Sequence, residues 1–173
     1  LAHISTASSI DLLRQAKEKG LEITAEATPH HLALTEEWVL GHNPVGSVEG
    51  PVTLDAYDPK TKVNPPLRSK GDVEAVVAGL REGIIDAVAT DHAPYSLVDK
   101  VATLEKAGWG ISGLETALST LLTFVLPNDV ALMTLVAALT SGPAKVLGKA
   151  YADLATLREG TTADLVLFDP DAE

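Results

Sequence analysis

Three places in this chain hold side chains that can bind a cation or move a proton: His3, the pair His30-His31 within Thr28-Pro29-His30-His31, and Asp91-His92. The chain has no cysteine, so disulfides and thiolate metal sites are excluded and any metal must be held by histidine and carboxylate. Asp91 ends the apolar run Ile84 to Thr90. A carboxylate at the end of a buried strand loses solvation unless a metal or a cationic partner compensates it. The alternative is a helix cap or turn residue, and the two readings stand level. His3 lies in the short apolar stub Leu1 to Ile4, and taken alone it reads more simply as a core histidine bonded to a backbone carbonyl.

His30 and His31 are adjacent, so in a strand they point to opposite faces and at most one faces a site. His92 can orient Asp91 from behind or simply fill space, and His42 reads as a solvated loop residue. Asn64, rigid beside Pro65 and Pro66, can hydrogen-bond an amide-bearing ring or merely close a turn. Arg68 can grip a carboxylate in bidentate fashion, although a surface ion pair is the commoner fate of an arginine.

The elements that would position these residues alternate. Leu1 to Ile4 reads as the end of a strand, and Ser8-Ser9 can cap a helix with a stripe of Ile10, Leu12, Leu13 and Ala16. Gly20 ends it, and Leu21 to Ala27 is β-prone. Asp72 to Arg81 has helical spacing, and Ile84 to Thr90 is a buried-looking strand. Helices are expected from about Gly113 to Leu126, from about Asn128 to Thr140, and through Ala144 to Gly148. Gly41 to Thr61 reads as a long loop without regular structure, and Ala163 to Asp169 as a strand that no helix follows. Strands alternating with helices predict an α/β chain with a parallel sheet, either open or closed into a barrel. In both, ligands bind at the C-terminal strand ends, where His3, Thr28 to His31 and Asp91 fall.

Of the 173 residues, 46% are hydrophobic and 21% charged, the balance of a globular protein. A net charge of −11 argues against a nucleic-acid partner, which needs a basic patch. No apolar run approaches the ~20 residues needed to span a bilayer and no leader opens the chain, so the expected location is cytoplasmic, without a membrane partner. The chain starts at Leu1 without a Met, with His3 two residues in, which reads as a cut.

Five motifs in order make the sequence resemble the type I dihydroorotases, a branch of the amidohydrolase superfamily related to hydantoinases and allantoinases. They are His3-Ile4-Ser5-Thr6-Ala7, Ala25-Glu26-Ala27-Thr28-Pro29-His30-His31-Leu32, Asn64-Pro65-Pro66-Leu67-Arg68, Ala89-Thr90-Asp91-His92-Ala93-Pro94 and Gly110-Ile111-Ser112-Gly113-Leu114-Glu115-Thr116. The resemblance implies the C-terminal part of a (β/α)8 TIM-type barrel in residues 1–150, strands six to eight with their helices, and the start of a small β-sandwich in 151–173. It implies one or two zinc ions, with His3 and Asp91 as metal ligands and Asp91 also as the proton shuttle. Asn64, Tyr95, Trp109 and Gly110 would contact substrate, while His30, His31 and His92 would stand behind the ligands. Tyr95 departs from the pattern: the family usually has a histidine there, touching the substrate carboxylate, and a phenol cannot become cationic.

The implied chemistry is reversible cyclisation of N-carbamoyl-L-aspartate to dihydroorotate in pyrimidine biosynthesis, with Asp91 as general base toward water and general acid toward the leaving nitrogen. The implied partners are a small-molecule substrate and either a second copy or aspartate transcarbamoylase. Two alternatives stand: a hydantoinase or allantoinase acting on another cyclic amide, and a non-catalytic scaffold for aspartate transcarbamoylase. A partial barrel leaves open sheet edges, so the isolated chain is expected to be unstable and inactive.

Overall fold

Thr6, Thr28 and Ser69 each close an extended stretch, and the side-chain oxygen of each accepts from the backbone N–H three residues on, of Ser9, His31 and Asp72. A helix N-terminus leaves such donors unpaired, so a hydroxyl at the cap starts the helix where it stands. The computed structural model describes residues 1–41, 55–151 and 153–170. Its helices begin with α1 (Ala7–Glu18), α2 (Pro29–Ala33) and α3 (Lys70–Arg81).

Between them run parallel extended segments. β1 (Glu26–Ala27) pairs with β2 (Ala87–Val88), Glu26 opposite Ala87 and Ala27 opposite Val88. The ladder extends through Asp86 N to Ala25 O at 2.9 Å and Ala89 N to Ala27 O at 3.0 Å. The N-terminal stub lies on the other side of β1, where Glu26 N donates to Leu1 O at 3.0 Å and Ile4 N to Glu26 O at 2.9 Å. The order across the sheet is therefore stub, β1, β2, the sequential neighbours that parallel βαβ steps produce. The regular strands are much shorter than the expected runs Leu21 to Ala27 and Ile84 to Thr90, because only the stretches with a partner on the sheet close a ladder.

The core lies between this sheet and its helices. Ile10 and Leu13 of α1, Val76, Val77 and Leu80 of α3, and Ala27 and Val88 of the strands form one buried cluster. Leu121 of α5 (Ala117–Phe124) and Leu135 of α6 (Leu132–Leu139) join it. Each of the valine, leucine and isoleucine side chains contributes roughly 1.5–3 kcal/mol when fully buried. At the strand N-termini Lys17 Nζ meets both carboxylate oxygens of Asp86 at 2.8 Å, and Asp86 Oδ2 also accepts from Ala25 N, locking α1 and β1 to the foot of β2. α7 (Ser141–Leu147) docks on the same foot: a Cβ on Gly142 would lie 2.2 Å from Asp86 O, so only glycine permits this approach.

Several expectations need correction. α5 begins at Ala117 rather than Gly113, because residues 110–114 are tied to the loop after β2; α6 spans 132–139, and α7 starts at Ser141, three residues earlier than Ala144. Of the loop from Gly41 to Thr61, residues 42–54, with His42, lie outside the described residues. Its last part is not irregular, since Asp58 caps a 3-10 turn over Pro59–Thr61. Ala163 to Asp169 forms no strand among the described residues: Val166 and Leu167 are 84% and 100% exposed, and no sheet neighbour supplies the ladder a strand requires.

Candidate metal centre and ligand-binding loops

The stub and β2 end at the same edge of the sheet, and at both ends the backbone turns into the left-handed region: φ is 54° at His3 and 47° at Asp91. An L-residue pays roughly 1–2 kcal/mol for that conformation. The two turns bring the side chains together, with His3 Nε2 3.6 Å from Asp91 Oδ1 and both side chains 29% exposed. That gap is too long for a hydrogen bond. Two donors bound about 2.1 Å from one tetrahedral ion stand about 3.4 Å apart, so the spacing suits a shared cation.

Glu26 stands behind His3. Its Oε1 accepts from His3 N at 2.5 Å and lies 2.8 Å from His3 Nδ1. The oxygen sits off the line of the ring N–H, so this second approach is electrostatic contact and not a hydrogen bond; His3 Nδ1, Glu26 Oε2 and His30 Nε2 are buried without a hydrogen-bond partner among the described residues. Glu26 therefore stands beside the remote nitrogen of the imidazole and grips His3 through its backbone amide. The donor set thus fits a divalent metal in type and spacing. It is two donors of a shell that needs four, because no group of three His, Cys, Asp or Glu converges among the described residues.

His30 and His31 are not on opposite faces of a strand: both lie in α2 and both are buried, because Thr28 caps and Pro29 starts a helix there. His31 Nδ1 is 2.8 Å from Thr28 Oγ1 and Nε2 2.9 Å from Pro65 O. A carbonyl can only accept, so Nε2 carries the proton and Nδ1 accepts from the hydroxyl. Its neutral ring anchors the proline loop, whose Asn64-Pro65 bond is cis and whose Asn64 side is exposed. Burial lowers the affinity of His31 for a second proton. Burial first, then the charges of His31 and His3, push His30 down to about 3. Arg68 Nε reaches Ser5 Oγ at 3.3 Å, and Arg68 O accepts from Glu36 N at 2.7 Å.

Among the described residues His92 makes no hydrogen bond to Asp91; its Nδ1 accepts from Gly113 N at 3.2 Å and Leu114 N at 3.1 Å. With Ala93 N donating to Ile111 O at 3.0 Å, it ties residues 111–114 to the loop after β2. In the same loop Gly110, at φ 131°, lies so close to Ala93 that a Cβ would come within 2.7 Å of Ala93 O. Trp109 is 53% exposed and Tyr95 46% exposed, with the Tyr95 ring against Gly108. The structure brings His3, Asp91, His30 and His31 to one end of the sheet, and it ties the Trp109-Gly110 and Asn64 segments to that end. Glu26 was discoverable from sequence, as a carboxylate flanked by alanines in a buried strand, the same signal that marks Asp91. Lys62, buried and bonded to the backbone of the Trp109 loop, left no such mark.

Comparison with known proteins gives this geometry its context. The amidohydrolase family model matches residues 2–173. The dihydroorotase of Caldanaerobacter subterraneus subsp. tengcongensis is 44% identical over 174 residues, covering 100% of this chain and 36% of its own length. An L-hydantoinase (dihydropyrimidinase) from Arthrobacter aurescens superimposes with a TM-score of 0.75 at 30% identity, covering 94% of this chain and 33% of that one. For a dihydropyrimidinase from Brevibacillus agri the TM-score is 0.77 at 24% identity, covering 94% and 33%. The chain thus spans about a third of the length of the relatives it matches, and its α/β fold is part of their TIM-type barrel. With the family pattern running through nearly every residue, the chain belongs to the amidohydrolase family.

Proposed function

We propose that this chain supplies the His3 and Asp91 side of a dihydroorotase active site. The observation that carries it is the 3.6 Å separation of His3 Nε2 and Asp91 Oδ1 at the C-terminal edge of a parallel sheet. The 44% identity to a dihydroorotase, against 30% to a hydantoinase, favours dihydroorotate over other cyclic amides. One or two zinc ions suit the nitrogen and oxygen donors. A bound ion would be held by His3 Nε2 and Asp91 Oδ1, together with donors from outside the described residues, and would polarise the amide carbonyl and acidify water.

The chain's own residues do the rest. Asp91 keeps one carboxylate oxygen for proton transfer: it takes a proton from the attacking water and returns it to the ring nitrogen as the amide bond opens, and the reverse sequence closes the ring. Glu26 holds the His3 backbone and crowds its Nδ1, keeping Nε2 turned toward Asp91. Asn64 and the Trp109-Gly110 pair take the ring of the substrate.

Tyr95 supports a second reading. It removes the cation expected opposite a substrate carboxylate, and a hydantoinase substrate needs no such partner. Assays of the protein carrying this chain against dihydroorotate, hydantoin and allantoin separate the two. The expected result is turnover of dihydroorotate that Asp91→Asn abolishes. Turnover of hydantoin alone would establish the second reading, and an active Asp91→Asn variant would defeat both.

A further inference from the structure

Lys62 is 7% exposed, yet no carboxylate stands within 4.0 Å of its ammonium among the described residues. A buried cation without a counter-ion persists only where other groups replace its hydration. Here they come from one loop. Nζ donates to Glu105 O and to Ala107 O, each at 2.8 Å, and lies 4.2 Å from the centroid of the Trp109 ring. The backbone of the same residue adds a fourth tie, since Gly110 N donates to Lys62 O at 3.0 Å.

Ala107 of the loop is buried as well, and Ile111 lines a cavity of about 240 Å³ together with Val63 and Leu67, so apolar contact accompanies the polar ties of Lys62. Lys100 also holds the loop, donating to Gly108 O at 2.8 Å and Pro59 O at 3.1 Å; burial first, then the nearby charge of Lys62, lowers its proton affinity. Two residues past Lys62 stands Asn64, and the Pro65 carbonyl is fixed by His31. On the far side, Ile111 and Gly113 are fixed to Ala93 and His92, beside Asp91.

We propose that Lys62 is a positioning residue that couples the two segments assigned to substrate binding, setting the Trp109 ring and the Gly110 backbone relative to Asn64. The ammonium backs the indole through a cation–π contact while the ring, 53% exposed, keeps surface free for a planar ligand. Lys62 touches no reacting atom, so its loss weakens binding of ground state and transition state alike, raising KM and sparing kcat.

The inference rests on the cyclic-amidohydrolase reading above, and the test keeps the two apart. In the protein carrying this chain, 5-fluorotryptophan reports on Trp109, its 19F resonance assigned by Trp109→Phe. Lys62→Met is expected to move that resonance and to raise KM for the cyclic amide by about tenfold, the size of one charge-assisted hydrogen bond, with kcat within about twofold. Lys62→Gln keeps a donor while losing the charge, so it remains informative if the methionine variant does not fold, and it should show a smaller shift and KM change of the same sign. An unmoved resonance, an unchanged KM, or a fall in kcat at constant KM in the folded variants overturns the role of Lys62. Absence of turnover by the unmodified protein on all three cyclic amides instead overturns the functional reading, while the resonance still reports whether Lys62 holds Trp109.

Discussion

His30 makes the fold sensitive to acid in a window that identifies it. Its imidazole is 4% exposed and its pKa is lowered from 6.5 to about 3, chiefly by burial. In the unfolded chain the ring titrates near its ordinary 6.5, so between those two values the unfolded state binds a proton that the folded state refuses. Stability then rises with pH and is lost as pH falls. Going from pH 7.5 to 4.5 therefore costs on the order of 2–3 kcal/mol through His30 alone, close to 1.4 kcal/mol for each unit below 6.5. His31, also lowered by burial, acts in the same direction. Asp72 does not confuse the result, because its pKa is depressed below 3.8, by the Ser69 hydroxyl first and the Ala7 amide next, so its contribution disappears only at lower pH. The assay is urea unfolding of the protein carrying this chain at half-unit steps from pH 7.5 to 4.5, beside His30→Phe. The variant should lose most of that slope. An unchanged slope in a folded His30→Phe protein would show that the ring is protonated without cost in the native state, and the argument from burial would be wrong.

Three further outcomes are expected. Gly142→Ala should destabilise by about 1–3 kcal/mol, because the added methyl meets the Asp86 carbonyl at 2.2 Å and α7 must shift; a melting temperature equal to the parent's would show that the helix yields freely. His31→Phe leaves Pro65 O and the Thr28 hydroxyl short of a partner and should cost about 1–3 kcal/mol, with faster amide exchange around residues 62–68 as the sign that the proline loop has loosened. Asp91→Gly should be more stable than Asp91→Ala by about 1 kcal/mol, since only glycine meets φ 47° without steric cost; equal denaturation midpoints would remove the strain inferred at that turn.

Much of the architecture was legible because it rests on periodicity and on caps. The apolar spacing of Val73, Val76, Val77 and Leu80 marks the buried side of α3, and the alternation of such helices with short apolar runs implies parallel segments in sequence order. Partners that are backbone atoms leave no trace in residue types. Lys62 binds carbonyls 43 and 45 positions away, and His92 binds amides 21 and 22 positions away, so neither attachment could be inferred from spacing. His31 shows how a local signal can be misread: a strand pattern assigns the two histidines to opposite faces, but the Thr28 cap and Pro29 at the first helical position redirect both into the core.

Convergence of His3 and Asp91 has a cause in backbone chirality. Side chains on a parallel sheet stand above or below it, so two residues at the ends of nonadjacent segments do not ordinarily face each other across the strand between them. The stub and β2 flank β1, and with a left-handed turn at each the two side chains meet across it, Glu26 of β1 lying against His3. Strain of that kind persists only when surrounding structure holds it, and here the holders are identifiable: the Glu26 carboxylate on the His3 amide, and the pairing of Ala93 with Ile111 beyond Asp91. Among the described residues four non-glycines have positive φ, and His3 and Asp91 are the two whose side chains meet, at the sheet end where a shared cation would compensate both turns.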